Sequence, residues 1–78
     1  MIKVLLFAEL EDAAGKRKIE LDMADVTVAD VRERLVAEYP GLRRIDRAMP
    51  AVNEEYAEAD EKVNAGDTVA FIPPVSGG

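Results

Sequence analysis

Apolar residues recur along the chain at strand spacing first and at helix spacing afterwards. Residues 2–8 form an apolar, partly β-branched stretch that ends at a polar segment, which predicts a first strand. Residues 17–22 alternate polar with apolar side chains, which predicts a half-buried second strand with Ile19 and Leu21 facing inward. Residues 9–14, between them, are expected to form one or two helical turns. Together these segments predict an N-terminal hairpin with a long connection.

The clearest helical pattern covers residues 28–39. Its apolar positions recur every three or four residues and form one stripe, which predicts packing against the core. The stripe consists of Val28, Val31, Leu35 and Tyr39. Thr27 and Asp30 have the spacing of a capping box at the start of the helix. Arg34 is spaced for ion pairs with Asp30 and with Glu38 on the exposed side.

Turn-forming residues punctuate the second half of the chain. Pro40-Gly41 is expected to end the helix, and residues 42–47 are expected to form an exposed loop. Residues 49–53 predict a short strand, which Pro50 would confine to an edge of the sheet. The last strand is predicted at residues 68–72, after an Asn-Ala-Gly-Asp turn.

The order of these elements favours an α+β domain over residues 1–72. A right-handed crossover through the helix would lay the last strand parallel to the first. The expected architecture is a β-grasp, or ubiquitin-like, fold with a mixed sheet and its one main helix on one face. Residues 73–78 are expected to form a separate, extended C-terminal tail that ends in Gly-Gly.

Side-chain alternation predicts that one face of this sheet stays uncovered. The outward positions are Lys3, Leu5 and Phe7 in the first strand and Thr68, Ala70 and Ile72 in the last. One helix covers only one side of the sheet. The polar residues Lys3 and Thr68 indicate that the other side faces solvent. The apolar residues on that side therefore predict a partner surface. The alternative is that a loop hides them, or that they are ordinary scattered surface residues.

The composition excludes most side-chain chemistry. The 78 residues include 16 acidic and 10 basic side chains, a net charge of −6, and no Cys or His. A disulfide framework, a thiolate nucleophile, a Cys-ligated metal site and a Ser-His-Asp triad are therefore excluded. We expect no bound metal or cofactor. The negative charge disfavours nucleic acid as a partner, because it repels phosphates.

No stretch of the sequence is typical of a membrane or secreted protein. The longest apolar runs fall well short of the roughly 20 residues that a membrane span needs. Residues 4–8 are too short for the core of a signal peptide. The sequence therefore predicts a cytoplasmic protein without membrane association.

One basic cluster interrupts this acidic chain. It consists of Arg43, Arg44 and Arg47. These residues either belong to a solvated loop or contact an acidic partner or a phosphate.

The terminal Gly77-Gly78 offers a chemical use for the main chain. Without Cβ atoms, these residues can pass through a narrow channel and approach a reactive centre closely. The six tail residues reach about 20 Å beyond the domain when extended. A terminal carboxylate becomes electrophilic once ATP adenylates it, and a sulfur nucleophile or an amine can then attack. A protein without Cys or His can therefore carry a reactive group at Gly78.

The C-terminal sequence closely resembles that of the small subunit of molybdopterin synthase. The matching segment is Ile72-Pro73-Pro74-Val75-Ser76-Gly77-Gly78, preceded by Gly66-Asp67-x-Val69-Ala70. Two further segments match as well, Met1-Ile2-Lys3-Val4-Leu5-x-Phe7-Ala8 and Ala51-Val52-Asn53-Glu54-Glu55, so the similarity spans the whole chain. The Pro-Pro-Val-Ser-Gly-Gly ending is its most specific part.

This resemblance implies a β-grasp sulfur carrier that is not an enzyme on its own. In such proteins a ubiquitin-activating-type enzyme uses ATP to adenylate the terminal glycine, here Gly78. A sulfurtransferase system then converts it to a thiocarboxylate. The tail enters the large synthase subunit and gives its sulfur to cyclic pyranopterin monophosphate (precursor Z). Two donations form the dithiolene of molybdopterin, in molybdenum cofactor biosynthesis.

The resemblance also implies contact residues. The family's complex is a heterotetramer of two large and two small subunits. Its hydrophobic contacts with the large subunit fall on Phe7, Tyr56 and Ile72, and Gly77 serves the threading of the tail. The tail positions implied in partner binding are Pro73, Pro74, Val75 and Ser76.

Three other functions remain open at this point. A ubiquitin-like protein modifier, joined through Gly78 to lysines as in archaeal small modifiers, has the same fold and the same ending. A thiamin-type sulfur carrier also ends in Gly-Gly but usually lacks the Pro-Pro-Val-Ser segment. The last alternative is a binding domain whose tail is inert.

Overall fold

Seven strands, two α-helices and a 3-10 helix make up residues 1–74, the part of the chain that the computed structural model describes. In chain order they are β1 (Ile2–Leu6), α1 (Glu9–Ala14), β2 (Lys18–Leu21), β3 (Val26–Thr27), α2 (Val28–Glu38), the 3-10 helix (Pro40–Arg47), β4 (Met49–Val52), β5 (Glu55–Tyr56), β6 (Lys62–Val63) and β7 (Thr68–Ile72). None of these helices is long and apolar enough to cross a membrane.

Five of the strands form one mixed sheet in the order β2-β1-β7-β4-β5. Its parallel pair is β1 and β7, with Val4 opposite Val69, and its other neighbours run antiparallel. The predicted α+β class and β-grasp arrangement are confirmed, since the first and last strands lie side by side. A second sheet, of β3 and β6, has no counterpart among the predicted elements.

Helix α2 begins with the predicted capping box. The backbone N–H of Thr27 donates to Asp30 Oδ2 at 2.9 Å, and the backbone N–H of Asp30 donates to Thr27 Oγ1 at 3.2 Å. These bonds satisfy two backbone groups that a helix start otherwise leaves unpaired. The expected pair of Asp30 with Arg34 is absent, because Asp30 faces the cap and Arg34 pairs with Glu38.

The helices cover one face of the large sheet and form the core with it. Ile2, Val4 and Leu6 of β1 are fully buried. The α2 residues packed into the same core are Val28, Val31 and Leu35, while Tyr39 is only partly buried at its edge. The hydrophobic effect of this burial fixes the inward parity of β1, β2 and β7, whose buried and more exposed residues alternate.

The basic segment after α2 is helical, and its prediction as a loop was wrong. Leu42 and Ile45 of the 3-10 helix are fully buried, and their packing in the core holds the segment against the domain. Arg43, Arg44 and Arg47 remain on its exposed side.

Pro50 does not mark an edge strand, because β4 lies between β7 and β5. Its carbonyl accepts the backbone N–H of Ala57 at 3.0 Å, just past the end of β5. The two backbone polar groups of one residue in an antiparallel strand point to the same side. The missing N–H of Pro50 therefore faces the short outer strand and leaves the ladder to β7 intact.

Candidate functional site

The sheet face opposite the helices carries an open groove of about 530 Å³. Its lining residues are Leu5, Phe7, Ala51, Asn53, Glu54, Tyr56, Thr68, Ala70 and Ile72. Five of the six outward positions predicted from strand alternation lie in this set, and Lys3 lies outside it. We refer to this surface as the apolar groove.

Three large hydrophobic side chains of the apolar groove are exposed. Phe7 retains 39% of its accessible surface, Ile72 37% and Tyr56 71%. By contrast, Leu6, which precedes Phe7, and Phe71, which precedes Ile72, are fully buried. Alternation within two adjacent strands thus sends one residue into the core and the next onto the open face. Clustered exposed hydrophobics of this kind mark an interaction surface.

A tight hairpin between β4 and β5 brings Tyr56 to the groove. Val52 is paired with Glu55, which leaves Asn53 and Glu54 as a two-residue loop. Their φ angles are 50° and 71°, the two consecutive positive values that a type I′ hairpin requires. The loop therefore turns the chain back within two residues, and Tyr56 follows at once.

Asn53 ties this hairpin to the start of β7. Its backbone N–H donates to the Thr68 carbonyl at 2.8 Å, and its side-chain Oδ1 accepts the Thr68 N–H at 3.0 Å. Its Nδ2 donates to Asp67 Oδ1 at 3.1 Å. These bonds hold two walls of the apolar groove, the hairpin and β7, in a fixed relation.

Asp67 completes the link between the two turns. Its Oδ2 accepts the backbone N–H of Asn64 at 2.9 Å. This bond, followed by the one from Asn53, stabilises the carboxylate and holds the pKa of Asp67 below its ordinary value of 3.8. The charged form is thus the one that fits the native turn.

The tail begins where the apolar groove ends. Ile72 is both the last residue of β7 and a lining residue of the groove. Pro73 is half-buried and Pro74 is exposed. The predicted tail residues Val75, Ser76, Gly77 and Gly78 lie outside the described residues.

The apolar groove has few polar groups in its lining. Its polar side chains are those of Asn53, Glu54, Tyr56 and Thr68, which hold no nucleophile paired with a base. Within residues 1–74, no three acidic side chains approach closely enough to hold a metal ion.

Sequence alternation did not reveal the contribution of the hairpin. Ala51, Asn53 and Glu54 enter the groove only because β4 pairs with β7 and then turns back. The sequence predicted a strand at residues 49–53, but it did not show which strand lies beside it.

Comparisons with known proteins agree with this geometry. A model of the ThiS family matches residues 4–78. A molybdopterin synthase sulfur carrier subunit of Dictyostelium discoideum is 37% identical over 81 residues, which span 97% of this chain and 94% of that protein. Small archaeal modifier protein 1 of Haloferax volcanii is also 37% identical, over 83 residues that span 94% of this chain and 95% of that protein. The crystal structure of that modifier superposes with a TM-score of 0.88 over 99% of this chain and 98% of that chain, at 37% identity.

Proposed function

The chain belongs to the ThiS family of sulfur carriers, and we propose that it is the sulfur-donating small subunit of a molybdopterin synthase. The observation that carries the proposal is the junction of docking surface and tail at Ile72, which ends β7 inside the apolar groove. The Pro-Pro-Val-Ser-Gly-Gly sequence follows immediately. A partner that covers the groove therefore lies within about 20 Å of the reactive terminus, the extended reach of six residues.

The proposed chemistry proceeds at the carboxyl group of Gly78. One carboxylate oxygen attacks the α-phosphorus of ATP on a ubiquitin-activating-type enzyme, which forms the acyl adenylate and releases pyrophosphate. Hydrosulfide-level sulfur (HS⁻) supplied by a sulfurtransferase system then attacks the carbonyl carbon, and AMP leaves with the bridging oxygen. The product is a thiocarboxylate. The thiocarboxylate sulfur then displaces an oxygen substituent of cyclic pyranopterin monophosphate, and water hydrolyses the resulting thioester, so that the sulfur stays on the pterin and Gly78 returns to the carboxylate.

The groove supplies the binding energy for these encounters. Phe7, Tyr56 and Ile72 are the side chains that would enter the large subunit, and their burial would offset the ordering of the tail. The six residues after Ile72 reach about 20 Å when extended. In the proposed complex Gly77 and Gly78 pass the narrowest part of the channel, since they lack side chains.

Intact mass spectrometry tests the thiocarboxylate directly. The full chain is incubated with its cognate activating enzyme, ATP and a sulfur donor. We expect a mass increase equal to the exchange of one oxygen for one sulfur, located at Gly78 by fragmentation. A variant that lacks Gly78 is the matched control and should show no increase. An unchanged mass of the wild-type chain would contradict the proposal.

A protein modifier is the second candidate, favoured by the equal identity to the Haloferax modifier. Both functions use the same acyl adenylate, but a lysine amine replaces the pterin as acceptor in the modifier. A modifier forms isopeptide adducts on other proteins, whereas the synthase subunit co-purifies with a large subunit and yields a dithiolene product. A thiamin-type carrier would do neither.

A further inference from the structure

Glu54 is the one charged residue among the nine described residues that line the apolar groove. Its neighbours in the lining are aliphatic, aromatic or uncharged polar residues. Its side chain is exposed. Residues 1–74 hold two ion pairs, Glu11 with Arg17 and Arg34 with Glu38, and neither involves Glu54. A carboxylate without an ion-pair partner therefore lies on a surface whose other side chains can lose their water readily when a partner protein binds.

The backbone of Glu54 adds a second observation. Its φ angle is 71°, a left-handed value that glycine adopts more readily than any residue with a side chain. The second loop position of a type I′ hairpin is the one that glycine dominates. The hairpin would thus be more stable with glycine here, so the geometry of the turn does not account for the glutamate.

Covering the groove changes the surroundings of this carboxylate. An apolar partner surface would remove water from around it, and a desolvated charge without a counter-charge opposes binding. A cationic side chain opposite Glu54 would remove that penalty and also reject partners that lack it. An Arg guanidinium fits a carboxylate with two parallel hydrogen bonds, and a Lys ammonium with one.

We propose that Glu54 selects the partner of the apolar groove, and that the protein docking there presents an Arg or Lys side chain to this carboxylate. The proposal rests on the proposed function, because it takes the large synthase subunit as the docking protein. It adds to the proposed function the chemical nature of one contact, a cation of the docking protein with the Glu54 carboxylate.

The test measures binding of the full chain to its cognate large subunit at several salt concentrations. We expect Glu54→Gln to weaken binding by about tenfold or more at low salt and to reduce the salt dependence of the dissociation constant. Glu55→Gln is the matched control, since Glu55 is the exposed neighbour outside the groove lining. It should bind within about twofold of the wild-type chain.

Glu54→Gly separates recognition from turn stability. This variant should melt at a higher temperature than the wild-type chain, because glycine relieves the left-handed conformation, yet bind as weakly as Glu54→Gln. If Glu54→Gln binds as the wild-type chain does, with the same salt dependence, the inference is overturned while the proposed function stands. If the wild-type chain does not bind the large subunit, the proposed function fails and the inference fails with it.

Discussion

At the scale of single residues, Asn53 and Asp67 decide the shape of the apolar groove. They lie 14 positions apart in sequence, and no local pattern connects them. Only the pairing of β4 with β7 brings the amide of Asn53 to the carboxylate of Asp67. The outward positions of β1 and β7 could be predicted from alternation, because that property depends on each strand alone. The hairpin wall could not, because it depends on which strands are neighbours.

Asp67 makes the stability of the fold sensitive to acid. Its pKa is lowered in the folded chain by hydrogen bonds from Asn64 and then Asn53, so its contribution is complete above its ordinary value of 3.8. The contribution is lost as the pH falls through the lower folded-state value. We expect Asp67→Asn to be less stable than the wild-type chain at neutral pH and to lose less stability on acidification. Urea unfolding at a series of pH values measures both effects.

The control for this experiment is Asp60→Asn. Asp60 is exposed and has no side-chain hydrogen bond within residues 1–74. The free energy of unfolding of Asp60→Asn should follow that of the wild-type chain across the pH series. Equal acid dependence of Asp67→Asn and the wild-type chain would show that Asp67 is not the sensitive group.

At the scale of elements, features that depend on residues close in sequence were predicted well, whereas contacts between elements were not. The capping box and the stripe of α2 are local in sequence, and both are present. The 3-10 helix was missed because its two buried residues, Leu42 and Ile45, give a single three-residue spacing, which is too short a signal in a segment that begins with Pro-Gly and carries three arginines. The β3–β6 ladder was missed because two residues are too few for alternation to register.

Loss of the capping box should destabilise α2 measurably. Thr27→Ala removes the acceptor for the Asp30 N–H and is expected to cost about 1 kcal/mol of unfolding free energy. Chemical denaturation of Thr27→Ala, Asp30→Ala and the double variant checks it. The two single losses should not add, since each already breaks the shared box. Full additivity would show that the two bonds act independently.

Gly41 holds the 3-10 helix close to α1. A Cβ at this position would stand 2.9 Å from the backbone oxygen of Ala13, which is closer than such atoms approach. We expect Gly41→Ala to lower the unfolding free energy by about 1–3 kcal/mol, because the two elements must separate. Gly66→Ala is an informative comparison, since a Cβ there meets nothing and only its φ of 92° opposes the change. Urea unfolding of both variants, with a spectrum of the native state, measures the cost.

At the scale of the whole molecule, one sheet serves two purposes on its two faces. The inner face packs against the helices, and the outer face presents the apolar groove. The parallel pairing of β1 with β7 makes this division possible, because it aligns the alternation of the first and last strands. This much was predictable from the sequence, since the order of elements and the parity of two strands imply it.

Adjacent substitutions in β1 and just beyond it should separate docking from folding. Phe7→Arg is expected to leave the melting temperature nearly unchanged, since surface changes stay within about 0.5 kcal/mol. It should weaken binding to the large subunit by at least about tenfold, because an anchor side chain is replaced by a charge. Leu6→Ala should instead cost about 2–5 kcal/mol of stability, because Leu6 is fully buried.

Thermal unfolding and titration with the large subunit, carried out on both variants, check these expectations. A folded Leu6→Ala chain should bind nearly as the wild-type chain does. Unfolding of Phe7→Arg, or its unimpaired binding, would contradict the assignment of Phe7 to an open docking face.

The position of β7 between β1 and β4 also determines how the molecule bears mechanical load. A force applied at the C-terminal end of β7 acts along this strand through Ile72. The hydrogen bonds of its two ladders lie across that direction, so the force shears both ladders at once instead of opening one pair after another. A load on the end of β7 is therefore shared by the β1 and β4 ladders, so that neither neighbour can separate from β7 alone.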